Sequence, residues 1–233
     1  MCGRSTLTKT EKEIEARFNA SFYSDELERY NPLPNYNVAP THYHPILTNQ
    51  DLGYINLFKW GLIPSWAKDH KLGYKMINAR IETLMEKSSF KKALEKRRCL
   101  VPMDGFYEWK KNGKEKQPYR IQTTDQEIFC CAGLWEKWIS PSKEVWHTFT
   151  VITQGPNELM KNIHDRMPAI LQKEQELLWL SDELSPKDLL ELINPYPSEH
   201  MRAYPVSKKV GKVSENYPSL IEEEKLDVQG SLF

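Results

Sequence analysis

Short runs of β-branched and aromatic residues, each ended within a few positions by a turn signal, constrain this chain more than any other feature. The runs are Tyr36–Val38, Pro45–Leu47, Tyr54–Trp60, Arg98–Val101, Phe106–Lys110, Tyr119–Gln122, Ile128–Leu134 and Val145–Thr153. Segments of this length and make-up are expected to be strands. Asn112-Gly113, between GFYEWK and QPYRIQ, predicts a type I′ hairpin turn. Helical spacing is rarer. Thr10 followed by Glu13 forms a capping box, with Ile14 and Phe18 four apart behind it. Further helices are expected over Phe90–Arg97, Asn157–Asn162, Glu174–Leu180 and Ser185–Ile193. Strands that outnumber peripheral helices give an α+β fold: a single domain over residues 1–233 with a barrel-like, mostly antiparallel β core.

A chain of 233 residues buries a core without help from disulfides or a structural metal. No stretch approaches the roughly 20 apolar residues that span a bilayer, and MCGRSTLTKT lacks the apolar stretch of a secretory signal. Cys2, Cys99, Cys130 and Cys131 show no CxxC and no framework spacing, which points to a reducing compartment. The expectation is a soluble, cytoplasmic, monomeric protein with no membrane partner. Its 32 basic and 32 acidic side chains argue against nucleic-acid binding through a charged tail, while leaving a local basic groove open. His42 and His44 stand two apart with no further ligands at useful spacing, so they read as a surface pair and no metal or other cofactor is expected.

Cys2 is the most informative residue. Initiator methionine is commonly trimmed before a small residue, and trimming here leaves an α-amine and a thiol on adjacent carbons. An α-amine has a pKa of about 7.8 against about 10.4 for lysine, so at a pH of about 7.5 roughly a third is free base. That amine forms an imine with an aldehyde, and the neighbouring thiol then closes a five-membered thiazolidine. The plainer alternative is a small buried residue in an N-terminal strand. The chemistry requires that Met1 be removed.

Seven ordered blocks carry a resemblance: MCGR at 1–4, YNVAPT at 36–41, WGLIPSWAKD at 60–69, INARIET at 77–83, RRCLVPMDGFYEW at 97–109, FCCAGLWE at 129–136 and HDRMPAIL at 164–171. Together they resemble the SOS-response-associated peptidase (SRAP) family, with a weaker tail, PVSKKVGKV, near 205–213. The resemblance implies recognition of abasic sites in single-stranded DNA, covalent crosslinking through the processed N-terminal cysteine, autoproteolytic removal of the initiator methionine and association with the nucleoid when DNA is bound. Carried over by position, it assigns the nucleophile to Cys2 and site roles to Asn78 of INAR, Glu108 of GFYEW and His164 of HDRMP. Ile81 stands where the family often has serine and Met103 where it often has alanine, changes that bear on packing.

These residue types suit that chemistry. Opening a cyclic hemiacetal to its aldehyde takes one proton and gives another, work for a histidine and for a glutamate whose pKa is raised among Phe106, Tyr107 and Trp109. An asparagine donates to an oxyanion or fixes the amine. Taken alone, Glu108 reads as the solvent face of a strand, His164 equally as a helix cap, and Asn78 as a turn residue. For DNA, Arg4, Arg80 and Arg166 suit phosphate through their planar forks, Trp60 and Trp66 suit base stacking, and Pro40 suits a wall beside the lesion. Trp109, Trp135 and Trp146 read as core, and KKALEKRR as a helix with a solvated basic face. Two other enzyme classes compete: a general cysteine-type peptidase, and an N-terminal-nucleophile glutaminase. The second also begins Met-Cys-Gly, but no Asn-Gly-Glu block follows here. A non-enzymatic single-strand DNA module is the third rival.

Overall fold

In the computed structural model, which describes residues 2–23 and 33–225, two buried layers meet along strands that are apolar on both faces. The strands are β1 (Ser5–Leu7), β2 (Ser21–Phe22), β3 (Asn35–Val38), β4 (Tyr43–Thr48), β5 (Asp51–Trp60), β6 (Asn78–Arg80), β7 (Arg98–Met103), β8 (Gly105–Asn112), β9 (Glu115–Thr123), β10 (Phe129–Ile139), β11 (Val145–Gln154), β12 (Met167–Pro168) and β13 (Met201–Pro205). Between and after them run the helices α1 (Glu11–Phe18), α2 (Ser88–Lys96), α3 (Glu158–Lys161), α4 (Lys173–Leu180) and α5 (Pro186–Glu191). All the strands read from the sequence are present, each within a few residues of its expected bounds.

One sheet runs β12-β11-β10-β7-β4-β5-β2, and β5 also pairs in parallel with β11 (Thr148 opposite Lys59, Phe149 opposite Trp60). That extra pairing closes β11, β10, β7, β4 and β5 into a barrel. Its interior and exterior follow from the period of two along each strand. On β10, Cys131, Gly133 and Trp135 face inward with Cys99, Val101, Phe58, Trp60, Phe149 and Val151, while Cys130, Ala132 and Leu134 face outward. The outward side is covered by Ile14 of α1, Phe90 and Leu94 of α2, Trp179 of α4 and Leu189 of α5. A Cβ on Gly133 would lie 2.7 Å from Val101 and 2.8 Å from Cys99, so only glycine fits at that point.

The second sheet, β13-β9-β8-β1-β3, lies against the barrel and adds Cys2, Val38, Phe106, Ile121 and Met201 to the interior cluster. Asp104, buried between β7 and β8, ties β1 and β9 to the start of β8. It accepts from Thr6 Oγ1 at 2.5 Å, Thr8 N at 2.6 Å, Thr8 Oγ1 at 2.5 Å and Arg120 Nη2 at 3.3 Å. The Arg120 guanidinium covers Gly105, where a Cβ would approach it to 2.7 Å.

Local signals set several element ends. The capping box forms as expected, with Thr10 N donating to Glu13 at 2.8 Å and α1 ending at Asn19 in the left-handed region (φ 49°). α3 is capped by Asn157, whose side chain accepts from Met160 N. α5 ends at Glu191, short of the expected Ile193. The β8–β9 hairpin departs from its predicted turn: Asn112 pairs with Glu115, so Gly113-Lys114 forms the loop. Gly113 alone has positive φ (58°) there, which fits a type II′ turn and not type I′.

Candidate active site

Cys2 lies just before β1, whose ladder with β8 continues through Tyr107 N donating to Arg4 O at 2.9 Å. This register brings the N-terminal cysteine beside the inner face of β8, the face of Phe106 and, by alternation, Glu108. Cys2 is wholly buried, and burial, reinforced by the charge of Glu108, pushes its thiol well above the ordinary range. Asn78 donates from Nδ2 to Cys2 O at 2.8 Å. It sits not in a turn but on β6, a short strand paired in parallel with β11, with Val151 opposite it. Its Oδ1 is buried without a hydrogen-bond partner.

Glu108 is 2% exposed, so the solvent-face reading of this strand position does not hold. Burial raises its carboxyl pKa above the usual carboxylate value. His164, anchored by its N–H to Met160 O of α3 at 2.8 Å, places Nε2 3.9 Å from Glu108 Oε2. Its Nδ1 accepts from Arg166 N at 3.0 Å and lies 2.8 Å from Asp165 Oδ1. The four residues singled out from the sequence therefore converge from four elements: the N-terminus, β6, β8 and the end of α3.

The residues expected to hold DNA divide sharply. Arg80 is exposed at the end of β6 with no ion pair among the described residues, Trp66 is 59% exposed, and Pro40 is half-buried. Trp60 does not fit the stacking expectation: it is 1% exposed, bonds through Nε1 to Ile77 O at 2.8 Å and stacks on Phe149 inside the barrel. Arg166 is held by a bidentate pair with Glu82 (2.5 and 3.0 Å) and by Thr153 O at 2.6 Å. Arg4 is half-buried and donates to Asn37 Oδ1 at 2.8 Å, Val210 O at 2.6 Å and Gly211 O at 3.1 Å, so it clamps the C-terminal segment onto β1 and β3. Trp135 is buried as expected, whereas Trp109 and Trp146 are only partly so. The surface reading of the histidine pair also fails, because His44 is buried with Nε2 2.6 Å from Pro102 O and burial pushes its pKa down to about 4.

Glu82, Asn37, Asp104 and Arg120 escaped the sequence reading. Glu82, Asn37 and Asp104 lie inside the matched blocks, but Glu82 meets Arg166 84 residues on and Asp104 meets Thr6 98 residues back, and no local spacing reveals those pairings.

A barrel buttressed by a second sheet, with the second residue of the chain sealed at their junction, defines an α+β fold. The chain belongs to the family described as SOS response associated peptidase (SRAP), which matches residues 1–213. It is 46% identical over 225 residues to the abasic site processing protein YoqW of Bacillus subtilis (strain 168), covering 95% of this chain and 99% of that one. It is 33% identical to the abasic site processing protein HMCES of Xenopus tropicalis, across 94% of this chain and 77% of that one. A crystal structure of a protein from Bacteroides thetaiotaomicron superposes with a TM-score of 0.90 at 31% identity, over 96% of this chain and 100% of that one. Among the described residues no helix is long and apolar enough to cross a membrane.

Proposed function

We propose that this protein captures abasic sites in single-stranded DNA as a covalent thiazolidine through Cys2, after hydrolysis of the Met1–Cys2 bond at the same site. It does so as a cytoplasmic monomer that is nucleoid-associated when DNA is bound. Met1 lies outside the described residues. The observation that carries the reading is the convergence on Cys2 of an amide donor, Asn78, and a buried carboxyl, Glu108, that faces the half-buried imidazole of His164. Relatives named for abasic site processing support it.

The steps follow from the groups present. The closed sugar opens when its hydroxyl loses a proton and its ring oxygen gains one. Glu108, held protonated to higher pH by burial, donates, and His164 beside it accepts. The α-amine of Cys2 adds to the aldehyde carbon and water leaves, giving an imine. The thiol S–H then adds across C=N: sulfur bonds to carbon and nitrogen takes the proton. No oxidant is needed, and a neutral thiol serves. Asn78 Oδ1 is a ready acceptor for the amine N–H. Arg80 and Trp66 contact phosphate and base, with Pro40 walling the lesion.

Intact mass before and after incubation with abasic single-stranded DNA tests the proposal. A heat-stable adduct is expected, with loss of Met1 and of one water. Cys2→Ser is expected to trap at most a labile imine. A stable Cys2→Ser adduct as abundant as wild type would overturn the thiazolidine.

A further inference from the structure

Beyond Glu108 the β8–β9 hairpin reads KKNGKEK, with Lys110, Lys111, Lys114 and Lys116 against one acid, Glu115. Glu115 is already paired with Lys208 at 3.0 Å, and among the described residues none of the four hairpin lysines has an ion-pair partner. Lys111 and Lys116 stand directly opposite each other in the ladder. Like charges facing across an antiparallel pair destabilise it, and among the described residues neither lysine has an ion pair to offset the cost.

The position of this charge matters as much as its sign. Alternation puts Lys110 on the face of Glu108, roughly 7 Å further along the strand. Trp109, Lys110, Lys111, Lys161, His164 and Asp165 line an open cleft of about 500 Å3. Lys161 is paired with Glu158, and Asp165 lies 2.8 Å from His164 Nδ1. The lysines of the cleft without an ion pair among the described residues are therefore Lys110 and Lys111. A protein of zero net charge has concentrated positive charge on one ribbon, starting one strand step from the proposed reaction centre.

We infer that this ribbon and cleft are the track for the sugar-phosphate backbone of the substrate strand as it leaves the lesion. Lysine suits such a role because it offers a point charge on a flexible stem, which follows a backbone without reading bases. The inference rests on the function proposed above, since the lesion must sit at Glu108 for the track to begin beside it.

The test uses three abasic oligonucleotides, one short and two lengthened on opposite sides of the lesion, each also made without the lesion. Wild type is expected to bind one lengthened oligonucleotide more tightly than the short one. K110E/K111E should lose that gain, binding about tenfold more weakly with a salt slope smaller by about 1.4 units for two lost contacts. K114E/K116E should show the same loss in smaller measure. K91E/K92E, which makes the same charge change on the exposed face of α2, should bind like wild type. The track is overturned if lengthening helps on neither side, if K110E/K111E keeps the gain, or if K91E/K92E loses as much. Failure of wild type to crosslink any abasic oligonucleotide would overturn the proposed function instead, while binding of the lesion-free strands would still decide the track.

Discussion

Two buried carboxylates flank the start of β8, and they are treated in opposite ways. Asp104 is saturated: both oxygens accept short hydrogen bonds from Thr6 and Thr8, and Arg120 closes over it. Glu108 instead faces an imidazole at 3.9 Å, and burial raises its pKa. A carboxylate whose charge is fully met holds structure, whereas one left costly to ionise is poised to exchange a proton. The same strand thus carries an anchor at its beginning and a proposed proton donor in the site. The anchor also positions β1, and with it Cys2.

Removing the anchor should have the largest effect. Asp104→Ala leaves Arg120 buried without its carboxylate and is expected to cost about 3–5 kcal/mol, read by denaturant unfolding. A loss below about 1 kcal/mol would mean that the two carboxylates do not differ in kind. Glu108→Gln should behave oppositely. Crosslinking should slow by about 10²–10⁴-fold in a time course, with thermal stability at neutral pH kept or raised. The sign follows from linkage. A carboxyl whose folded pKa is raised binds more protons folded than unfolded in that window, so it loses stability as pH rises, and the amide removes that loss.

The next contrast lies on the acid side. Burial holds His44 neutral down to about 4 from its ordinary 6.5, so between these values the unfolded chain binds the extra proton. Stability is therefore expected to fall as pH drops through that window, by roughly 3 kcal/mol from this group. His44→Gln should flatten the decline in unfolding measured from pH 7 to 4, and an unchanged slope would refute it.

The smallest effects separate the two arginines. Arg80→Ala should weaken single-strand binding and reduce the salt slope by about 0.7 unit. Arg166→Ala should leave the slope unchanged and act through His164, because its guanidinium is spent on Glu82 and Thr153 while its N–H meets the imidazole. Equal slopes for both variants would erase the distinction.

Much of this was legible in the chain itself. Strand-forming runs and the Thr10–Glu13 box are local signals, decided by side chains within a few residues of the backbone they affect, and the structure keeps them. The chemical types at Cys2, Asn78, Glu108 and His164 were also on the page, as was a resemblance that joined them. What failed were inferences about exposure. Trp60 was read as a stacking platform and His44 as surface, yet both are buried, because closure of β5 onto β11 seals residues that no local pattern marks as interior.

The sequence by itself determined the elements, their caps, the α+β class and the set of reactive side chains, since propensity, capping and functional-group chemistry act at short range. The tertiary structure alone decided which charges are free and which are spent. Arg4, Arg166 and Asp104 meet partners brought from distant parts of the chain, and Arg80 and the hairpin lysines meet none among the described residues. It also decided that Glu108 is costly to ionise. Desolvation and ion pairing depend on what the fold brings within a few ångströms, and that proximity is set by sheet register and barrel closure, not by spacing along the chain.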